Sequence, residues 1–174
     1  MAKYSPTVTL KGPMNGSLLV FAYTSFIICV VMIHRDKELF HSYPAAVVAQ
    51  MVCAIVQMIY MFVYFLKSHS KIYSVRNMFI VNGLLMLYCF GASIAITVLG
   101  KRHGDGYCPG DTPAAHDCQG VLRGTMGMAW VLWIWNIFWM AIIAMIVSTT
   151  NSSWSEPLGN VPVIDKVEEE APKH

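Results

Sequence analysis

The chain has 174 residues, of which 56% are hydrophobic and only 13% are charged, and its formal net charge is +2. Soluble domains carry about 25% charged residues, so this composition is typical of a protein that spans a membrane. Neither the net charge nor any basic patch in the sequence favours nucleic-acid binding.

Four apolar windows account for this composition, at residues 17–33, 44–66, 78–99 and 125–147. None of them contains Asp, Glu, Lys, Arg or His. Because a helix rises about 1.5 Å per residue, roughly 20 apolar residues cross a hydrocarbon core of about 30 Å. The last three windows reach that length, whereas the first has 17 residues and needs its flanks to span. We predict an all-α, integral membrane protein with a four-helix, tetraspan bundle.

The first window follows a polar arm, residues 1–16, that contains Pro6, Gly12 and Pro13. A signal peptide is the alternative interpretation of this window. However, the sequence "CVVMIHRDKE" at its end offers no small-x-small cleavage site. We therefore expect an uncleaved first span.

Polar side chains in the second, third and fourth windows recur at helical spacing, which places them on one face of each helix. Apolar burial does not drive helix association in lipid, so such faces are expected to meet through close packing and hydrogen bonds. We expect Gln50, Gln57, Asn82 and Asn136 to make interhelical polar contacts, with Asn136 bonded to one of the other three. The cysteines of the spans are isolated in sequence and are expected to behave as small apolar residues.

The segment "KSHSKIYSVRN" between the second and third windows is basic and contains no acidic residue. Lys67, Lys71 and Arg76 are therefore candidates for contact with an anionic lipid surface, at about 1 kcal/mol for each charge. An ordinary solvated turn is the alternative.

The loop "GDGYCPGDTPAAHDCQG" between the third and fourth windows contains the cysteines that lie outside the spans, Cys108 and Cys118. Two cysteines in a short loop rich in Gly and Pro predict a disulfide, which requires an oxidising compartment. Two free thiols, or a metal site with His103, Asp105 and His116, are the alternatives, although the sequence has no recognised ligand spacing.

The fourth window is rich in tryptophan. We expect Trp135 and Trp139 to point away from Asn136, towards lipid or a partner, which makes them candidates for a sterol, lipid or protein contact. Aromatic rings that simply face acyl chains are the alternative. The tail that follows, residues 148–174, combines turn formers with an acidic cluster, which predicts a mostly disordered segment.

An even number of spans places both termini on one side of the membrane. That side carries seven Lys and Arg residues, against five in the other two loops, so the positive-inside rule favours cytosolic termini. The glycosylation patterns at Asn15 and Asn151 would then be cytosolic and unused. We expect a multi-pass protein of the plasma membrane or a secretory-pathway membrane.

The spans contain no charged residue and no histidine, whereas intramembrane charges are the usual mark of ion paths and proton relays. The sequence contains no phosphate loop or catalytic triad motif. We therefore expect no catalytic residue, no cofactor and no enzymatic activity.

The layout resembles that of MARVEL-domain proteins, in particular the fungal members, over most of residues 14–147. The resemblance rests on four spans with cytosolic ends, the cysteine pair in the second outer loop, and "CQGVLRG" before a Trp-rich last span, from Cys118 to Ala141. It implies a non-enzymatic role in organising lipid domains, shaping membranes or sorting vesicle cargo. The implied partners are membrane lipids, including sterol or sphingolipid, and further copies of the chain or another membrane protein. An accessory subunit of a larger complex and an oligomeric channel or pore are the rival hypotheses.

Overall fold

A computed structural model of the chain describes residues 10–40, 44–102, 113–150 and 153–161. Within these residues it contains four α-helices, α1 (Lys11–Phe40), α2 (Ala45–Lys67), α3 (Val75–Arg102) and α4 (Pro113–Thr150). Short 3₁₀ helices lie at Lys71–Tyr73 and Leu158–Asn160. Each α-helix contains a segment long and apolar enough to cross a membrane. The predicted all-α bundle with four membrane-spanning helices is confirmed.

Each helix extends beyond the apolar window that predicted it, and the extension matters most for α1. Its membrane-crossing segment is Lys11–Arg35, with 25 residues, so the flanks supply the length that residues 17–33 lack. Pro13 lies in the first turn of α1, where a helix has no bond to lose from the missing N–H. Pro113 opens α4 for the same reason.

The four helices run alternately up and down and form a bundle in which α1 and α3 each pack against both α2 and α4. Below, the "terminal face" is the end of the bundle formed by residues 10–11, 67–76 and 153–161. The opposite end, where α3 ends and α4 begins, is the "loop face". One core cluster, with Leu18, Met61 and Trp139, fills the half nearer the terminal face. A second cluster, with Val47 and Ile96, fills the half nearer the loop face.

Large apolar side chains cover the lateral surface of the bundle. Residues more than half exposed occur on all four α-helices, and include Val20, Tyr23, Ile59, Phe62, Leu66, Leu84, Leu87 and Phe138. A continuous apolar surface of this kind is unusual for a soluble monomer. It is the surface expected of helices that contact lipid acyl chains, so the chain is a multi-pass membrane protein.

Candidate functional site: the polar interior and the terminal face

The interior of the bundle contains all four predicted amide residues, Gln50, Gln57, Asn82 and Asn136, each with no exposed surface. Gln50 Nε2 donates to Ser25 Oγ at 3.3 Å and so links α2 to α1. The two asparagines instead donate to backbone carbonyls one turn earlier in their own helices. Asn82 Nδ2 bonds the Met78 carbonyl oxygen at 2.8 Å, and Asn136 Nδ2 bonds that of Leu132 at 2.9 Å.

The expected bond between Asn136 and another amide is therefore not what the structure shows. The carbonyl one turn back in a helix is always within reach of a short polar side chain, so the local bond competes with the interhelical one. An interhelical bond between two amides forms only where both side chains lie at the same depth in the bundle. Among these four residues, only Gln50 bonds to a side chain of another helix.

Gln57 is the least satisfied of these four amides. Neither its Nε2 nor its Oε1 has a hydrogen-bond partner in the protein, and the side-chain oxygens of Gln50, Asn82 and Asn136 are also unpaired. A buried polar group without a partner costs about 1–3 kcal/mol. The interior therefore contains neutral amide groups from three helices whose bonding capacity is only partly used.

Two tryptophan side chains of α4 make hydrogen bonds to neighbouring helices. Trp135 Nε1 donates to Ser17 Oγ at 2.8 Å, which ties α4 to α1. Trp130 Nε1 donates to Thr97 Oγ1 at 3.1 Å, which ties α4 to α3. Phenylalanines support both links, because the Phe21 ring lies 5.0 Å from that of Trp135 and the Phe90 ring 6.1 Å from that of Trp130.

The structure corrects the prediction that Trp135 and Trp139 face outward. Trp139 is completely buried, because residues 136 and 139 are three positions apart and therefore share a helix face. Trp135 is half-buried against α1. The outward side chains of this part of α4 are instead Ile134, Ile137 and Phe138.

A disulfide joins Cys53 of α2 to Cys89 of α3, with a Cα–Cα distance of 6.1 Å. This separation is in the range that disulfides normally occupy. The prediction that these cysteines act as isolated apolar residues is therefore wrong, although Cys29 is a free, buried thiol. The sequence did contain a signal for this disulfide. Cys53 and Cys89 lie at helical spacing from Gln57 and Asn82, so both cysteines lie on the inward faces of their helices.

Cys118 lies buried in the first turns of α4 and is disulfide-bonded. Its predicted partner, Cys108, lies outside the described residues, so the Cys108–Cys118 pair stays a prediction. Of the alternative metal ligands, His116 is exposed on α4, and residues 103 and 105 lie outside the described ranges. In the part of the chain that the structure describes, no group of three or more His, Cys, Asp or Glu side chains is placed to hold a metal ion.

The beginning of the C-terminal tail, residues 153–161, is ordered on the terminal face. The backbone N–H groups of Val75 and Arg76 donate to the carbonyl oxygens of Glu156 and Trp154, at 3.0 and 2.9 Å. The N–H of Gly159 donates to the carbonyl oxygen of Ser68 at 3.2 Å. Residues 153–161 therefore lie alongside the segment between α2 and α3, and residues 162–174 fall outside the described part.

Side-chain contacts also hold residues 153–161 in place. Lys11 Nζ donates to the carbonyl oxygens of Leu158 and Val161, at 3.3 and 3.4 Å. His69 Nδ1 lies 2.6 Å from Asn160 Oδ1. Trp154 packs edge-on against Phe79, with ring centroids 5.8 Å apart.

The predicted basic residues Lys67, Lys71 and Arg76 are all exposed on this face. Between them lies Tyr73, which is buried, and burial raises the pKa of its hydroxyl. Tyrosine is already neutral at physiological pH, and burial strengthens that preference. The terminal face is thus an ordered surface with three exposed cationic side chains, one acidic side chain, Glu156, and the buried ring of Tyr73.

The interior, in sum, offers neutral hydrogen-bonding groups, and the terminal face offers cations and aromatic rings. Both sets of groups are suited to packing and binding. No protein-family model, no curated protein and no solved structure matches the chain. The function is therefore argued from the residues themselves.

Proposed function

We propose that the chain is a non-enzymatic tetraspan membrane protein that organises the lipids and membrane proteins around it, as its resemblance to MARVEL-domain proteins implies. One observation carries this proposal. The bundle buries the four amide side chains of its spans and presents large apolar side chains on its lateral surface, so lipids and neighbouring membrane proteins meet an apolar exterior.

Packing of the interior favours this role over a pore. The amides lie among large side chains that are themselves fully buried, including Met61, Met78, Leu132 and Trp139. Interior side chains also bond across helices, as Gln50 does to Ser25. These contacts are those of a packed core, in which polar groups set the register of the helices.

The terminal face supports a contact with lipid headgroups. If this face is cytosolic, as the positive-inside rule favours, Lys67, Lys71 and Arg76 meet the headgroups of the cytosolic leaflet, which include anionic lipids. Each cation then contributes about 1 kcal/mol of attraction. The docked tail holds this surface in one arrangement.

A native mass spectrum recorded after gentle detergent extraction tests the proposal. We expect a monomer or small homo-oligomer that retains membrane lipid, and added sterol or sphingolipid identifies the class that is retained. A fixed assembly with a different protein would contradict the proposal and favour the accessory-subunit hypothesis. Phe138 and its outward neighbours on α4 would then be the first candidates for the docking surface.

A further inference from the structure

A groove of about 250 Å³ lies at the loop face, between the end of α3 and the first turns of α4. Its polar lining consists of Thr97, Lys101, Gln119 and Arg123, and its apolar lining includes Leu122 and Met126. The amides, tryptophans and terminal face described above take no part in it. The groove is therefore a separate feature of the molecule.

Each free polar side chain of the groove can donate hydrogen bonds, and two of them are cationic. Thr97 Oγ1 already donates to the Ser93 carbonyl and accepts from Trp130, which leaves Lys101, Gln119 and Arg123. A guanidinium group bonds phosphate through two parallel N–H groups, and a lysine adds a mobile point charge. None of the described side chains that line the groove is acidic, so its chemistry suits a phosphate group.

The depth of the two cations points to a lipid as the source of that phosphate. Lys101 lies two residues after the third apolar window, which ends at residue 99, and Arg123 lies two residues before the fourth, which begins at residue 125. Both charges therefore flank the boundary of the hydrocarbon core, where lipid headgroups begin. Leu122 and Met126 continue the groove with the apolar surface that an acyl chain would contact.

The groove is open on the α3 side because no large side chain stands at Gly100. A Cβ atom at Gly100 would come no closer than 3.9 Å to Leu122, which is an ordinary contact. An alanine therefore fits at this position without moving its neighbour. A longer side chain at Gly100 would occupy the groove itself.

We propose that this groove binds the phosphate headgroup of an anionic phospholipid, with Lys101 and Arg123 at the phosphate and one acyl chain along Leu122 and Met126. The proposal rests on the proposed function, because it names the lipid chemistry that the bundle recognises at its loop face.

The test is a lipid titration of the delipidated full chain in detergent, followed by native mass spectrometry. Phosphatidylglycerol is the anionic probe and phosphatidylcholine the zwitterionic control. We expect one phosphatidylglycerol to bind at least tenfold more tightly than phosphatidylcholine. Lys101→Gln and Arg123→Gln should each weaken this binding about fivefold, since one charge near a headgroup contributes about that factor. Arg35→Gln removes an exposed cation of α1 at the same end of the bundle and should leave the binding unchanged.

A second pair of variants tests the groove without changing charge. Gly100→Leu should abolish the tight binding event, whereas Gly100→Ala should preserve it. Equal binding of both lipids, or equal weakening by Arg35→Gln and Arg123→Gln, would overturn the proposal. So would retention of tight binding in Gly100→Leu.

Inorganic phosphate distinguishes a lipid from a free anion. We expect excess phosphate to leave the bound phosphatidylglycerol in place, because the acyl chain contributes to binding. Binding of phosphate alone, with the same dependence on Lys101 and Arg123, would show a site for a soluble anion and overturn the lipid assignment. These results are independent of the assembly measured for the proposed function. A heteromeric assembly would overturn that function while the purified chain still bound the lipid.

Discussion

Gln57 gives the most direct test of the interior at the scale of single residues. Its amide is fully buried and lacks a hydrogen-bond partner in the protein. Gln57→Met replaces it with an apolar side chain of similar length, so we expect the free energy of unfolding to rise by about 1 kcal/mol. Thermal unfolding in detergent micelles measures the change.

Gln50→Met is the matched control, since it lies two turns earlier on the same helix and does have a partner. Loss of its bond to Ser25 should lower the free energy of unfolding by about 0.6 kcal/mol. If Gln57→Met destabilises the chain more than Gln50→Met does, the Gln57 amide has a partner in the membrane. The description of the interior as a packed core would then be wrong.

Trp139 and Phe138 are sequence neighbours with opposite surroundings. Trp139 is completely buried, whereas Phe138 is 53% exposed. Trp139→Ala should therefore lower the free energy of unfolding by about 3–5 kcal/mol, because it leaves a cavity in the core. Phe138→Ala should change it by about 0.5 kcal/mol or less. Equal effects in the same unfolding assay would contradict the burial of Trp139.

At the scale of elements, the docked tail depends on a glycine. A Cβ atom at Gly159 would lie 2.6 Å from the backbone oxygen of Ser68, which is closer than carbon and oxygen can approach. We expect Gly159→Ala to displace residues 153–161 from the segment between α2 and α3. Hydrogen exchange at the amides of Val75 and Arg76, which bond to the tail, should then become faster.

Gly91→Ala is the control for this experiment, because a Cβ atom there meets no heavy atom within 4 Å. It should leave exchange at Val75 and Arg76 unchanged. Unchanged exchange in Gly159→Ala as well would show that the tail does not protect these amides.

The disulfide between α2 and α3 predicts a labelling pattern. In the denatured, unreduced chain, an alkylating reagent should modify Cys29 but neither Cys53 nor Cys89. Reduction of the denatured chain should expose all three to the reagent, as peptide mass spectrometry would show. Alkylation of Cys53 without a reductant would contradict the bond, and with it the covalent link between the two helices.

The elements of this fold follow from the sequence far better than their contacts do. Hydrocarbon thickness fixes the minimum length of a span, so four uncharged windows predict four helices. The helix ends lie outside the apolar windows, because polar flanks such as residues 11–16 are also helical. A search for apolar residues does not detect such flanks. The order of residues 153–161 depends on backbone bonds to residues 68–76, which local composition does not encode.

The site residues show the same limit. Helical spacing places the four amides and both cysteines of the disulfide on inward faces, but it does not show which groups meet. Asn136 bonds within its own helix, and Cys53 meets Cys89 only because α2 packs beside α3. Trp139 was predictable, since its spacing from Asn136 places both on one face.

At the scale of the whole molecule, the first and last described segments share one end of the bundle, since Lys11 bonds to Leu158 and Val161. We predict that this end is cytosolic. Expression in cells with a glycosylation reporter should then show no glycan at Asn15 or Asn151, and a glycan at an acceptor sequence inserted between α3 and α4. Asn15 is also fully buried, so a glycan there would contradict both the sidedness and the fold.

We propose that the polar side chains of the spans pack the interior of the bundle and line no aqueous path. The most direct test is the reaction of a Gln57→Cys chain in sealed vesicles with a charged, water-soluble thiol reagent. A Cys29→Ala background removes the free thiol of the described residues and keeps the Cys53–Cys89 bond. An otherwise identical Arg76→Cys chain, with the cysteine on the exposed terminal face, serves as the reactive reference. We predict that the cysteine at position 57 stays unmodified when the reagent is applied to either side. Modification at a rate similar to that at position 76 would show that water reaches the interior. That result would contradict the membrane-organiser proposal and favour the pore.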